Sequence, residues 1–143
     1  MAAAILDSTT YPASPAVTST RARRAGRILS GIAVLFLAVD LTFKFSTSKE
    51  IIEGTTQLGW APHHLPIIGV LEIVCLLLYV IPRTAPLGAI LWTGYLGGAI
   101  ATHLRIDNPL FTHILFPIYV AAFIWGGLYL RDARVRGLLR APR

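Results

Sequence analysis

Residues 85–105 read APLGAILWTGYLGGAIATHLR, and the reading of this stretch decides the fold. From Leu87 to Leu104 it has no carboxylate, lysine or arginine, and His103 is its only strongly polar residue. A helix of that length, rising 1.5 Å per residue, covers the roughly 30 Å hydrocarbon core of a bilayer. Gly94 and Gly98 are four apart and share one helix face, where a second helix backbone can approach closely. Trp92, Tyr95, Ala99 and His103 form another stripe at helical spacing, aromatic at one end and titratable at the other. The stretch reads as the packing spine of a small membrane bundle.

The chain around it fits. It has 143 residues, enough for one domain, with 55% hydrophobic and only 14% charged residues. Its mean hydropathy of +0.64 is too high for an ordinary soluble fold. The net charge of +6 resides mainly in two tails that flank apolar spans. That is the pattern of anchoring to an anionic bilayer surface. Nucleic acid is not expected as a partner, because no basic stripe is interleaved with stacking aromatics. Cys75 is the lone cysteine, so the chain forms no internal disulfide, and its apolar neighbours make it structural filler.

Outward from the spine, the first 25 residues form a basic N-terminal tail expected to be disordered, without the layout of a cleavable signal peptide. A first span follows over 26–45, in which Asp40 and Lys44 stand i,i+4 with the acid first, the favourable order for a helical ion pair. Thr47 with Glu50 fits a capping box that opens a short amphipathic surface helix, and Gly59 suits its left-handed close. Trp60 then reads as an interface anchor, and His63 and His64 as solvated loop residues. A second span over 65–81 carries Glu72, and the turn holding Pro82 and Pro86 makes the second and third spans antiparallel neighbours. Asn108-Pro109 starts a fourth span over 109–130, with Asn108 as cap. Pro117 frees the carbonyl of His113 and should kink that span. A basic tail, 132–143, ends the chain.

The expected fold class is therefore all-α. It is an integral membrane four-helix bundle over 26–131, with a short amphipathic helix between spans 1 and 2. Both tails and the 82–86 turn carry ten Lys/Arg against Lys49 and Arg105 on the other side, so both termini are expected in the cytoplasm and the protein in the inner (plasma) membrane.

At that orientation Asp40, Lys44, Glu72, His103, Arg105 and His113 all fall in the outer third of the bundle. Such groups either pair into a salt-bridge network that fixes helix register or line a pocket. Six titratable groups in one layer favour the pocket, with Tyr95 facing it from the spine. A metal is not expected. His103, His113, Glu72 and Asp40 show no i,i+3 or i,i+4 pairing, and Lys44 and Arg105 would repel a cation.

Three segments carry a resemblance: GRILSGIAVLFLAVDLTFKF, QLGWAPHHLPIIGVLEIVCLLLYVIPRTAPLGAIL and TGYLGGAIATHLRIDNPLFTHILFPIYV. With them the chain resembles the DoxX-like family of small four-span bacterial membrane proteins, over 26–131. The resemblance implies a four-helix membrane bundle with polar positions at Asp40, Lys44, Glu72, His103 and Arg105. It also implies a place among proteins linked to thiosulfate and quinone oxidoreduction, redox protection, or chaperoning and cargo roles. No cofactor motif is evident, and a quinone is the cofactor this resemblance suggests.

Two functional readings follow. In the first, the pocket holds a small molecule such as a quinone head group or lipid, or the chain is an accessory subunit steadying an oxidoreductase partner. In the second, Glu72 and His103 are acid-base groups of a membrane enzyme, beside Lys44 and Arg105. A purely structural or chaperone role is the third possibility, and a channel is disfavoured by the apolar inner half. The orientation is directly testable. A cysteine placed at Gln57 in a Cys75→Ala background is expected to react with a membrane-impermeant thiol reagent in intact spheroplasts. Labelling only after lysis would reverse the topology.

Overall fold

A computed structural model describes residues 19–139. Most of the N-terminal tail and the last four residues therefore lie outside the described residues. Among the described residues all regular structure is helical. In chain order it comprises α1 (Thr20–Lys44), α2 (Lys49–Gln57), a 3-10 turn (Pro62–His64), α3 (Leu65–Val80), α4 (Ala85–Arg105), a π-helical turn (Leu110–Ile114), α5 (Phe116–Arg131) and α6 (Ala133–Leu139).

Local chemistry explains these boundaries. Ser19 caps α1 by accepting from the Ala22 amide at 3.2 Å, so the helix starts ahead of its apolar run and carries Arg21, Arg23 and Arg24 in its first turns. The expected capping box at Thr47 does not form: Ser48 is the N-cap of α2, without a side-chain bond to the helix. Gly59 closes that helix at φ 78°, as its sequence position implies. At the other break, Pro117 has no amide to offer the carbonyl of His113. The chain there winds one residue wider, with Ile114 N bonding Pro109 O and Leu115 N bonding Leu110 O, before α5 begins. Asn108 is not the cap of this segment, because its side chain turns back to His103.

Three helical segments are long and apolar enough to cross a membrane: Thr20–Lys44, Pro62–Val80 and Leu110–Arg131. α4 matches them with 21 residues, but its glycines, threonines and His103 leave it less apolar. In the three segments only 22–28% of the apolar window is buried inside the protein. Leu35, Leu77 and Ile90 stand 69%, 59% and 58% exposed. An apolar surface of that extent is a surface for lipid.

The four long helices close a square. α1 packs on α5 and α3, and α4 packs on α3 and α5, so α1 and α4 lie on one diagonal. Trp92, Tyr79, Ile124 and Leu128 are fully buried at its centre. Tyr79 ties three sides together: its hydroxyl donates to the Ile124 carbonyl and accepts from Ser30, both at 2.9 Å. This half of the bundle is thus not purely apolar. It holds a satisfied hydroxyl network, which a low-dielectric setting strengthens.

The glycine pair of the spine is not where helices approach closely. A Cβ built on Gly94 or Gly98 meets nothing within 4 Å, so that face is open rather than packed. Two other seams are tight: α4 meets α3 where a Cβ on Gly88 would collide with the Tyr79 backbone, and α1 meets α5. There a Cβ on Gly26 would lie 2.7 Å from the Gly127 carbonyl, and one on Gly127 would lie 2.8 Å from the Ser30 amide. Backbone atoms cannot yield as a flexible side chain can. Gly127→Leu is therefore expected to lower the melting temperature in detergent, with an overpacking cost of about 1–3 kcal/mol. Gly98→Leu is expected to melt like wild type. Equal behaviour of the two variants would contradict this assignment of the seam.

Candidate polar cavity

The open face of α4 forms one wall of a cavity of about 360 Å³ at the end of the bundle that carries α2. α2 and the loop after it supply Thr55, Leu58 and Trp60, α3 supplies Leu65, Ile68 and Leu71, and Lys44 reaches in from the end of α1. Gly94 and Gly98 help to line it, so the two missing side chains leave space that a larger residue would fill. Thr55 and Thr102 also line it, yet their hydroxyls bond back to Ile51 and Gly98 carbonyls at 2.7 and 2.9 Å. Those walls therefore present methyl groups, and the polar lining is left to Lys44, Tyr95 and His103.

Tyr95 is the link to the acidic groups. Its hydroxyl donates to Glu72 Oε2 at 3.1 Å. Glu72 is 0% exposed, and its other oxygen has no hydrogen-bond partner among the described residues. Asp40 and Lys44 pair at 2.9 Å, as their spacing predicts, and both lie near enough to Glu72 to act on it electrostatically. Close approach of α1 to α3 makes this possible. A Cβ on Gly69 would lie 2.9 Å from the Phe45 ring and 3.0 Å from Lys44 Cβ, so glycine at that position leaves room for the end of α1 to settle beside Glu72. Lys44 is bonded to Asp40, and Glu72 stands within electrostatic reach of that pair, behind a tyrosine. Trp92 packs edge-on against Tyr95 at 5.2 Å and shields this floor from the core side.

His103 and His113 make a second patch. Their rings meet at 5.5 Å, and Asn108 Nδ2 and His103 Nδ1 are hydrogen-bonded at 2.7 Å. His113 Nδ1 contacts Thr112 Oγ1 at 2.8 Å. His103 lies eight residues beyond Tyr95 on α4, about 12 Å along the helix at 1.5 Å per residue. The structure therefore splits the expected layer into a floor of Asp40, Lys44, Glu72 and Tyr95 and a rim of His103 and His113. Glu72 and His103 sit at different depths.

Arg105 joins neither patch. Its guanidinium donates to the Leu58 carbonyl at 2.6 Å and fills the space beside Gly59. It caps the end of α2 and holds that helix across the cavity, where a side chain at residue 59 would collide with it. His63 is exposed, but His64 is half-buried with its ring against Trp60 at 5.9 Å, so it belongs to the packing behind the cavity wall. Sequence reasoning missed Asn108 as the partner of His103 and α2 as a wall. The available signals were an amide five residues after a histidine and an amphipathic helix whose apolar face needed cover. Among the described residues no three His, Cys, Asp or Glu side chains converge as a metal-binding group.

Residues 28–127 match the model of the DoxX-like family. The match takes in the six residues of the expected polar layer, Tyr95 and every residue that lines the cavity. No curated protein and no solved structure matches the chain. An all-helical core, three helices apolar enough to cross a bilayer, and a family match over that core make this a multi-pass membrane protein in contact with lipid; the chain belongs to the DoxX-like family.

Proposed function

We propose that this protein is a four-span membrane subunit whose cavity binds a small amphipathic molecule, a quinone or lipid head group, in the service of a membrane redox complex. The observation that carries the reading is a fully buried carboxyl group, Glu72, set directly behind Tyr95 in the lining of a largely apolar cavity. A charge-bearing group at such depth is costly, and a site that hydrogen-bonds a ligand gives it a use. An apolar ring or chain suits the walls of leucine, isoleucine and threonine methyls. A carbonyl or hydroxyl head suits Tyr95 and Lys44 on the floor.

Binding rather than catalysis is supported by the burial of Glu72 behind Tyr95, since a general acid or base must come within hydrogen-bond reach of the proton it moves. The basic tails and the 82–86 turn support an inner-membrane orientation with both termini in the cytoplasm, so the cavity would open outward. A site near that surface is also within reach of an oxidoreductase partner.

Glu72→Gln tests the reading. It keeps the side chain's shape and still accepts from Tyr95, but removes the ionisable group beside Asp40 and Lys44. The variant is expected to insert, extract and melt like wild type. Saturable quenching of tryptophan fluorescence by a short-chain benzoquinone, reported by Trp60 in the wall, is expected in wild type and much weakened in Glu72→Gln. A purely structural network would instead lose about 3–5 kcal/mol when one member of a buried pair is removed. A variant that fails to accumulate would support that network. Unchanged folding with unchanged quenching would remove Glu72 from the site altogether.

A further inference from the structure

The opposite end of the bundle holds a second cavity, of about 320 Å³, that no part of the preceding reading uses. It lies where α1 begins, α3 turns into α4, and α5 passes into α6. Four arginines line it, Arg23, Arg27, Arg131 and Arg134, against one acid, Asp132. The arginines are not equivalent. Arg134 is committed: it bonds Asp132 at 2.7 Å and the Pro82 carbonyl at 2.5 Å, clamping α6 to the α3–α4 turn. Its hydrogen bonds hold the Asp132 carboxyl below the usual carboxylate range, so the only acid in the cavity is charged and already matched.

Arg131 is oriented but incompletely used. Its guanidinium stacks on the Tyr79 ring at 5.0 Å and donates to the Tyr79 carbonyl at 3.3 Å, while its Nε is buried with no hydrogen-bond partner. Arg23 and Arg27 are exposed, and their guanidiniums make no hydrogen bond or ion pair among the described residues. They stand four apart on α1, so both point to one side. The positive end of the 21-residue helix α4 adds to the same field, with Ala85 in the lining and no side chain capping it. Two uncommitted guanidiniums, a third held rigid, and an uncapped helix end leave an excess of positive charge facing one space. Planar guanidiniums bind phosphate oxygens in paired hydrogen bonds.

We propose that this cavity is a binding site for the phosphate of an anionic phospholipid. The location selects a lipid over a soluble anion. The cavity sits at the end of membrane-crossing helices, and Leu128, Pro82 and Ala85 line it beside the arginines. A glycerophosphate head can be clamped there while its acyl chains continue down the apolar outer surface of the helices. Basic pockets between helix ends are a recurrent means of holding such head groups.

The test uses the full-length protein in a neutral detergent, titrated separately with phosphatidylglycerol, phosphatidylcholine and soluble glycerol phosphate. Phosphatidylglycerol is expected to raise the melting temperature saturably, and the other two are not. Arg23→Gln/Arg27→Gln is expected to weaken the phosphatidylglycerol response at least about tenfold. Arg21→Gln/Arg24→Gln, which removes the same charge from the same helix outside the cavity, is expected to retain it. Both pairs lie on an exposed helix end, so their folding is checked by the melting temperature without lipid. Equal responses to phosphatidylglycerol and phosphatidylcholine would overturn the site. So would equal weakening by the two double variants, which would mark diffuse surface attraction. A glycerol phosphate response matching that of the lipid would make this a soluble-anion site and overturn the lipid assignment.

Discussion

The upper half of this molecule depends on one constraint: Glu72 is wholly buried in a helix whose outer face meets lipid. A carboxylate there needs donors or a counter-charge, because the surroundings supply no bulk water. The chain answers from two neighbouring helices. α4 brings Tyr95 to one oxygen, and the end of α1 brings Lys44, already paired with Asp40, into range. Gly69 permits the second approach, and Trp92 closes the far side. Positions along three helices that look unrelated in the sequence are consequences of placing one acid.

Small residues serve opposite purposes at the two ends of the bundle. Gly26, Ser30 and Gly127 bring α1 and α5 together until backbone meets backbone, and Tyr79 bonds across the same region. Gly94 and Gly98 instead withhold side chains from a space that α2 walls but does not fill. One end is therefore built for rigidity and the other for occupancy. Arg105 connects these themes, since it fixes α2 by its terminal carbonyl and so sets the height of the cavity wall.

Much of this was legible in the chain. Helix class, the extent of α4, the Asp40–Lys44 pair and the break at Pro117 all follow from local chemistry: periodicity, i,i+4 spacing and a missing amide. The face presented by Gly94 and Gly98 did not, because a small-residue pair states only that a backbone is bare. Whether a helix or a cavity meets it depends on where a separate element, α2, comes to rest. Arg105 was ambiguous for a related reason. A long side chain at a helix end can turn inward to acids or outward to carbonyls, and its choice is fixed by the unpaired C-terminus of α2. The depth of His103 relative to Glu72 also needed the fold. Both were counted toward one layer, whereas the bond between Glu72 and Tyr95 sets His103 eight residues further along α4. Cys75, read as filler, is buried.

The central claim is that the space beside Tyr95 is a binding site and not a packing defect. Native mass spectrometry of protein extracted gently from its own membrane tests it most directly, with Gly94→Leu/Gly98→Leu as the comparison. The account predicts that wild type retains a bound molecule of discrete mass and that the filled-cavity variant is folded and bare. A bare wild type, or the same adduct on both proteins, would contradict it.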